Sequence, residues 1–115
     1  MSAELVAVYG SLKQGYGNHR ILSDSGYLGE DDTGAEYTMY SLGGFPCITE
    51  EGDTPIAVEV YKVDEQVFSR LDMLEGYPDF YNRKEIETKY GTAWIYYIED
   101  ADYMGELNKV ESGRW

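Results

Sequence analysis

Two short stretches of this 115-residue chain carry side chains able to do acid–base or anion-binding work. The first, Leu71-Asp72-Met73-Leu74-Glu75-Gly76-Tyr77-Pro78, reads as the end of an amphipathic helix, with Glu75 in its last turn. The negative end of the helix dipole disfavours another anion there, so the Glu75 carboxyl is expected to hold its proton more tightly than a free one. A general base working near neutral pH needs that property. The alternative reading of Glu75 is an ordinary surface carboxylate at a helix end. The second stretch, Tyr9-Gly10-Ser11-Leu12-Lys13, follows an apolar strand and must turn sharply. Backbone N–H groups at such a turn can cradle a carboxylate-sized anion, particularly where Gly permits close approach. An ordinary glycine turn is the alternative.

Scarcity excludes several other chemistries. The chain has one histidine, His19, and one cysteine, Cys47, too few for a structural zinc site or an internal disulfide. A nucleophile–imidazole pair would have to use His19, which lies in a polar loop segment. Two phosphate motifs fail. Gly10 to Gly15 has Walker A spacing, but Tyr16-Gly17 replaces the required Lys-Ser or Lys-Thr; Gly15-Tyr16-Gly17 opens a dinucleotide fingerprint, but Arg20 takes the place of its third glycine. Nine basic against 22 acidic residues give a net charge of −13, which argues against nucleic-acid and anionic-membrane partners. Acid–base work therefore falls to carboxylates and to the twelve tyrosines.

The elements that must position these residues are short. With 43% hydrophobic and 27% charged residues, the chain has the composition of a soluble globular protein, and its length fits a single domain over residues 1–115. Neither a signal peptide nor an apolar membrane-spanning run is visible, so a cytoplasmic location is expected. Leu5 to Tyr9 predicts a strand. Gly15 to Arg20 reads as a loop entering a helical turn near Leu22, and Ala35 to Leu42 as a second strand closed by Gly43-Gly44-Phe45-Pro46. Ile56 to Val63 predicts a half-buried strand with Ala57, Glu59, Tyr61 and Val63 on one face. Asp64 is the expected N-cap of the main helix, with Val67, Phe68, Leu71 and Leu74 at helical spacing. Arg83 to Thr88 and Ala93 to Ile98 form a predicted hairpin across Lys89-Tyr90-Gly91-Thr92. The segment from Asp100 to Trp115 is expected to hold one helical turn. The fold class is α+β, a small mixed β-barrel with one main helix and one or two minor flanking ones.

Val8-Tyr9-Gly10-Ser11-Leu12-Lys13 with Gly17-Asn18-His19-Arg20-Ile21-Leu22 resembles the opening of the gamma-glutamylcyclotransferase superfamily, and in particular its small gamma-glutamylamine cyclotransferase-like branch. Leu71 to Pro78, followed by Tyr81 and Arg83, resembles the second motif of that family. Gly44-Phe45-Pro46, Val58-Glu59-Val60-Tyr61 and Ser112-Gly113-Arg114-Trp115 fall in the expected order. The resemblance implies that the loop matching Tyr9, Gly10, Ser11 and Leu12 grips the alpha-carboxylate and amino group of a gamma-glutamyl substrate, and that Glu75 is the catalytic acid–base residue. It also implies cofactor-free cyclisation of the gamma-glutamyl group to 5-oxoproline, with release of the free amine. Tyr81 or Tyr97 could orient the carboxylate or stabilise the oxyanion, packed tyrosines being the alternative, and Arg83 is expected to form a strand-edge ion pair. Val58 stands where relatives usually have glycine, which puts the pocket shape in question. Two other readings are a non-catalytic member of the fold that binds a small carboxylate-bearing metabolite and an acidic protein-interaction domain.

Overall fold

The apolar run after the N-terminus forms β1 (Ala3–Val8), and its period-2 alternation sends Val6 and Val8 to one face of a sheet and Ala7 to the other. The computed structural model describes residues 3–10, 13, 19–22, 25–41, 46–77, 81–99 and 108–113. Along these residues β1 is followed by a 3₁₀ turn (His19–Leu22), β2 (Gly26–Asp32), β3 (Tyr37–Ser41), β4 (Pro46–Thr54), β5 (Ala57–Asp64) and α1 (Glu65–Glu75). Then come β6 (Asn82–Thr88), β7 (Gly91–Tyr97) and β8 (Asn108–Lys109).

Five strands form one sheet in the order β2-β5-β1-β7-β6, and three form a second in the order β4-β3-β8. All pairs are antiparallel except β1 with β7. The two faces of the larger sheet carry two core clusters. Val6, Val8, Tyr61, Val63 and Tyr96 face α1 together with Leu71, whereas Ala7, Val58, Val60 and Ile95 face the smaller sheet through Met39 and Ile48. The β5 strand is thus buried on both faces rather than half-buried, because it lies between β2 and β1 and is covered from both sides. Val58, at 2% exposure, fills space in the core.

The class is α+β with one main helix, as expected, but the sheet is curled and unclosed. Among the described residues β2 and β6 remain separate edges, so the expected barrel does not close. The smaller sheet covers the curl instead, tied on by the Ile98 N–H donating to the Ile48 carbonyl at 2.9 Å and by the Lys84–Glu50 ion pair at 2.9 Å. Three strands, β2, β4 and the short β8, are absent from the expectations above. The β2 segment, Gly-Tyr-Leu-Gly-Glu-Asp-Asp, is largely exposed at an edge and has no alternation to read. In β4 four consecutive buried residues, Pro46 to Thr49, give way to an acidic exposed half. There the register jumps from Thr38↔Thr49 to Tyr37↔Thr54, so a bulge interrupts any period. Of the C-terminal helical turn expected between Asp100 and Trp115, residues 100–107 and 114–115 lie outside the described residues, and 108–113 hold β8 and a non-helical turn.

Candidate functional site

The α1 helix starts and stops where its sequence says it should. Asp64 caps it, its side chain accepting from the Val67 N–H at 2.8 Å. Gly76 ends it in the left-handed conformation, φ 66° and ψ 35°, with its N–H directed to the Asp72 and Met73 carbonyls. Glu75 is therefore the last helical residue, and the reversal at Gly76 leads the chain back through Tyr77 so that the Tyr81 N–H donates to the Glu75 carbonyl at 3.3 Å. This return holds the helix end against the sheet.

The residue Glu75 is half-buried, but its carboxyl is largely desolvated, and that desolvation pushes its pKa up to about 7. The cause differs from the one expected from sequence: burial, rather than the helix terminus, holds the proton. Tyr9, 7% exposed, lies directly ahead of the turn closed by the Lys13 N–H donating to the Gly10 carbonyl at 3.0 Å. The Tyr9 hydroxyl donates to the Tyr96 carbonyl at 2.7 Å. Burial raises its pKa well above the usual tyrosine value, and the neighbouring Tyr81, Glu75 and Cys47 add to the shift. The tail of β1 and the end of α1 thus meet in one partly dry region.

Gly10 is required by close approach. A Cβ there would stand 2.7 Å from Pro46 Cδ, so the turn and the start of β4 touch. Pro46 also takes the Tyr81 hydroxyl on its carbonyl at 2.7 Å, with Tyr81 only 4% exposed. Of the residues singled out in the sequence, the structure brings together Tyr9, Gly10, Glu75 and Tyr81. Ser11 and Leu12 lie outside the described residues. Tyr97 shares the second core cluster with Tyr9, but its ring lies 5.8 Å from Lys84 Nζ and its charged neighbours are Glu50, Glu99 and Lys84 rather than Glu75, so it is not part of this region. The sequence reading missed Tyr96, whose hydroxyl donates to Asp72 Oδ1 at 2.7 Å and whose pKa is raised by burial, then by Asp72 and Glu75. Strand alternation from Trp94 was the available signal, since it puts Tyr96 on the α1 side of β7. Arg83, on edge strand β6, forms the expected ion pair, to Asp72 at 2.9 Å.

Cys47 is buried beside this region, and burial raises its thiol pKa to about 11, so it is a neutral wall at physiological pH. Among the described residues, no cluster of His, Cys, Asp and Glu side chains is placed to hold a metal ion, and no helix is long and apolar enough to cross a membrane.

Comparison with known proteins places this geometry in a family. The model of the family described as "Gamma-glutamyl cyclotransferase, AIG2-like" matches residues 6–115. A relative from Vibrio cholerae is 43% identical over 111 residues, covering 96% of this chain and 94% of the relative. The gamma-glutamylcyclotransferase family protein YtfP of Escherichia coli is 34% identical over 110 residues, covering 96% and 94% respectively. Among solved structures, an AIG2-like protein from Mus musculus superposes with a TM-score of 0.81 over 97% of this chain and 88% of that one; at 22% identity it speaks for the fold alone. Sequence and fold agree: the chain belongs to the AIG2-like gamma-glutamyl cyclotransferase family.

Proposed function

We propose that the protein cyclises the gamma-glutamyl group of a gamma-glutamyl amine or peptide to 5-oxoproline and releases the free amine, with Glu75 as general base and then general acid. The observation that carries this reading is the desolvated Glu75 carboxyl, titrating at about 7, beside Tyr9 and the turn that follows it.

The substrate supplies its own nucleophile. Its alpha-amine attacks the gamma-carbonyl carbon, a new C–N bond closes the five-membered ring, and the C–N bond to the departing amine breaks. Holding these atoms together in one folded conformer is worth up to about 7–11 kcal/mol in well-oriented cases. Three tasks fall to the protein. Backbone amides of the Gly10–Leu12 turn anchor the alpha-carboxylate. Glu75 takes one proton from the alpha-ammonium group before attack and passes it to the leaving nitrogen as the C–N bond breaks. The second proton, shed by the ring nitrogen, ends on the released amine, which departs as its ammonium ion, so the carboxylate is regenerated. Tyr81, fixed by its bond to the Pro46 carbonyl, walls the region and sets its shape.

Val58 is packed into the core, so its side chain fills space there. The test is direct. Purified protein is incubated with a panel of gamma-glutamyl amines and peptides and 5-oxoproline is followed by mass spectrometry. Glu75→Gln is expected to lower turnover by about 10²–10⁴-fold, the range for loss of a general acid–base group, with an unchanged circular dichroism spectrum. Substantial residual turnover in that variant would sink the role given to Glu75.

A further inference from the structure

Asp72, Arg83 and Tyr96 form a compact polar unit outside the residues assigned above. Arg83 Nη1 donates to both Asp72 carboxylate oxygens, at 3.0 and 2.9 Å, and the Tyr96 hydroxyl donates to Oδ1 at 2.7 Å. The guanidinium is sandwiched by aromatic rings: its Cζ lies 4.4 Å from the ring centre of Phe68, 4.3 Å from that of Tyr77 and 4.8 Å from that of Trp94. Those rings come from α1, from the reversal after it and from β7, so the cation is clamped by each element that must hold the helix end. Arg83 Nε is buried without a hydrogen-bond partner, so the stacked position is kept although it leaves one donor unmet.

Asp72 stands one helical turn ahead of Glu75, three residues away on the same side of α1. Tyr96 spans the distance between the two halves of the site. Its carbonyl receives the Tyr9 hydroxyl and its own hydroxyl reaches Asp72. From the geometry we infer that Asp72, Arg83 and Tyr96 act as a positioning unit for Glu75, fixing the last turn of α1 against β6 and β7 and cancelling the Asp72 charge beside it. An uncompensated carboxylate at Asp72 would repel a Glu75 anion, and an uncompensated guanidinium at Arg83 would attract one. With the ion pair intact, Glu75 sees neither. Tyr9, Cys47 and Tyr96 border the same region, and burial raises the pKa of each, which keeps them neutral near pH 7.

This inference deepens the cyclotransferase reading, and its first readout does not depend on that reading. The Glu75 side-chain carboxyl is titrated by carbon-13 NMR in the free protein. Arg83→Met is expected to move its midpoint up and Asp72→Asn to move it down, each by roughly half to one pH unit at the effective dielectric of a partly buried site. A purely structural role would move both midpoints the same way, toward that of a solvated carboxyl, and such a result overturns the inference. If either charge variant fails to fold, Arg83→Lys keeps the cation and loses the flat stacking surface. Its expected outcome is a kcat about 10-fold lower with KM unchanged, whereas a raised KM at unchanged kcat would put Arg83 on the substrate and overturn the positioning role. Absence of 5-oxoproline from the wild-type protein, with the opposite NMR shifts present, would refute the cyclotransferase reading and leave the unit standing.

Discussion

At the scale of the residue, Glu75 is a group whose placement costs stability in one protonation state and not in the other. Its folded pKa of about 7 lies above the ordinary carboxylate value of 4.5, so folding favours the protonated form. The contribution is fully present below the unfolded pKa and is lost as pH rises from about 4.5 through 7. Glu75→Gln, which stays neutral, is therefore expected to be close to wild type in stability at pH 4 and more stable at pH 8, by on the order of 2 kcal/mol. Thermal melts of both proteins across that range check it; a constant gap would show that the carboxyl is not desolvated. Turnover has the matching dependence. In the proposed mechanism proton removal needs the Glu75 carboxylate, so kcat/KM is expected to rise with pH through about 7, and a flat profile from pH 5 to 9 would assign the base elsewhere. The carboxyl was legible in the sequence as a candidate, but the helix terminus was the only cause visible there. Burial depends on residues far along the chain: Tyr9 and Tyr81 enclose the region together with Cys47, and no local pattern announces that they converge.

At the scale of the element, the two ends of α1 separate stability from positioning. Asp64→Ala removes the N-cap bond to the Val67 N–H and is expected to cost about 1 kcal/mol, with little effect on kcat because Glu75 is at the other end. Gly76→Ala strains the left-handed cap by a similar amount, about 1 kcal/mol, and also shifts the turn that carries Glu75. Its kcat is expected to fall several-fold more than that of Asp64→Ala at matched stability. Equal losses of activity in the two variants would mean that the reversal at Gly76 does not position Glu75. The helix was readable from Asp64, the apolar spacing and the Gly-Tyr-Pro stop. The hairpin was readable as a hairpin, but its register was not. Lys89 and Tyr90 alone make the turn, so Thr88 pairs with Gly91 and Arg83 with Tyr96. A four-residue turn would have moved every pair by two positions, put Ile98 opposite Arg83 and hidden the link from Tyr96 to Asp72.

At the scale of the whole molecule, the net charge of −13 acts on any ligand approaching the site. For the proposed reaction this charge is expected to disfavour polyanionic leaving groups relative to neutral or cationic ones, within a Debye length of about 8 Å at physiological salt. For a gamma-glutamyl amine with a cationic leaving group, kcat/KM is expected to fall as salt rises from 20 to about 300 mM (roughly a four-fold shortening of the Debye length), whereas a neutral leaving group should show almost no change. Identical salt profiles for the two would remove surface charge from the account of specificity. The class of fold follows from the mixture of short strands and one amphipathic helix, but closure of the sheet does not. Whether β2 meets β6 depends on twist and on how the smaller sheet covers the curl, and both are properties of the packed molecule. The acidic, largely exposed β2 and the bulged β4 carry too weak a period for either strand to be read locally.

The sequence by itself determined the helix with its cap and stop, the glycine turn after β1, the shortage of imidazoles, thiols and clustered cations, and the order of motifs that marks the family. These are local or compositional properties, fixed by backbone preference and residue chemistry. Only the tertiary structure decided that the Glu75 carboxyl is desolvated, that Tyr96 rather than Tyr97 faces it, and that Arg83 is clamped between Phe68, Tyr77 and Trp94 while holding Asp72. Those facts depend on strand register and on the meeting of residues up to 87 positions apart, such as Tyr9 and Tyr96. Desolvation is set by everything that surrounds a group, so it takes shape only when the chain has folded around it.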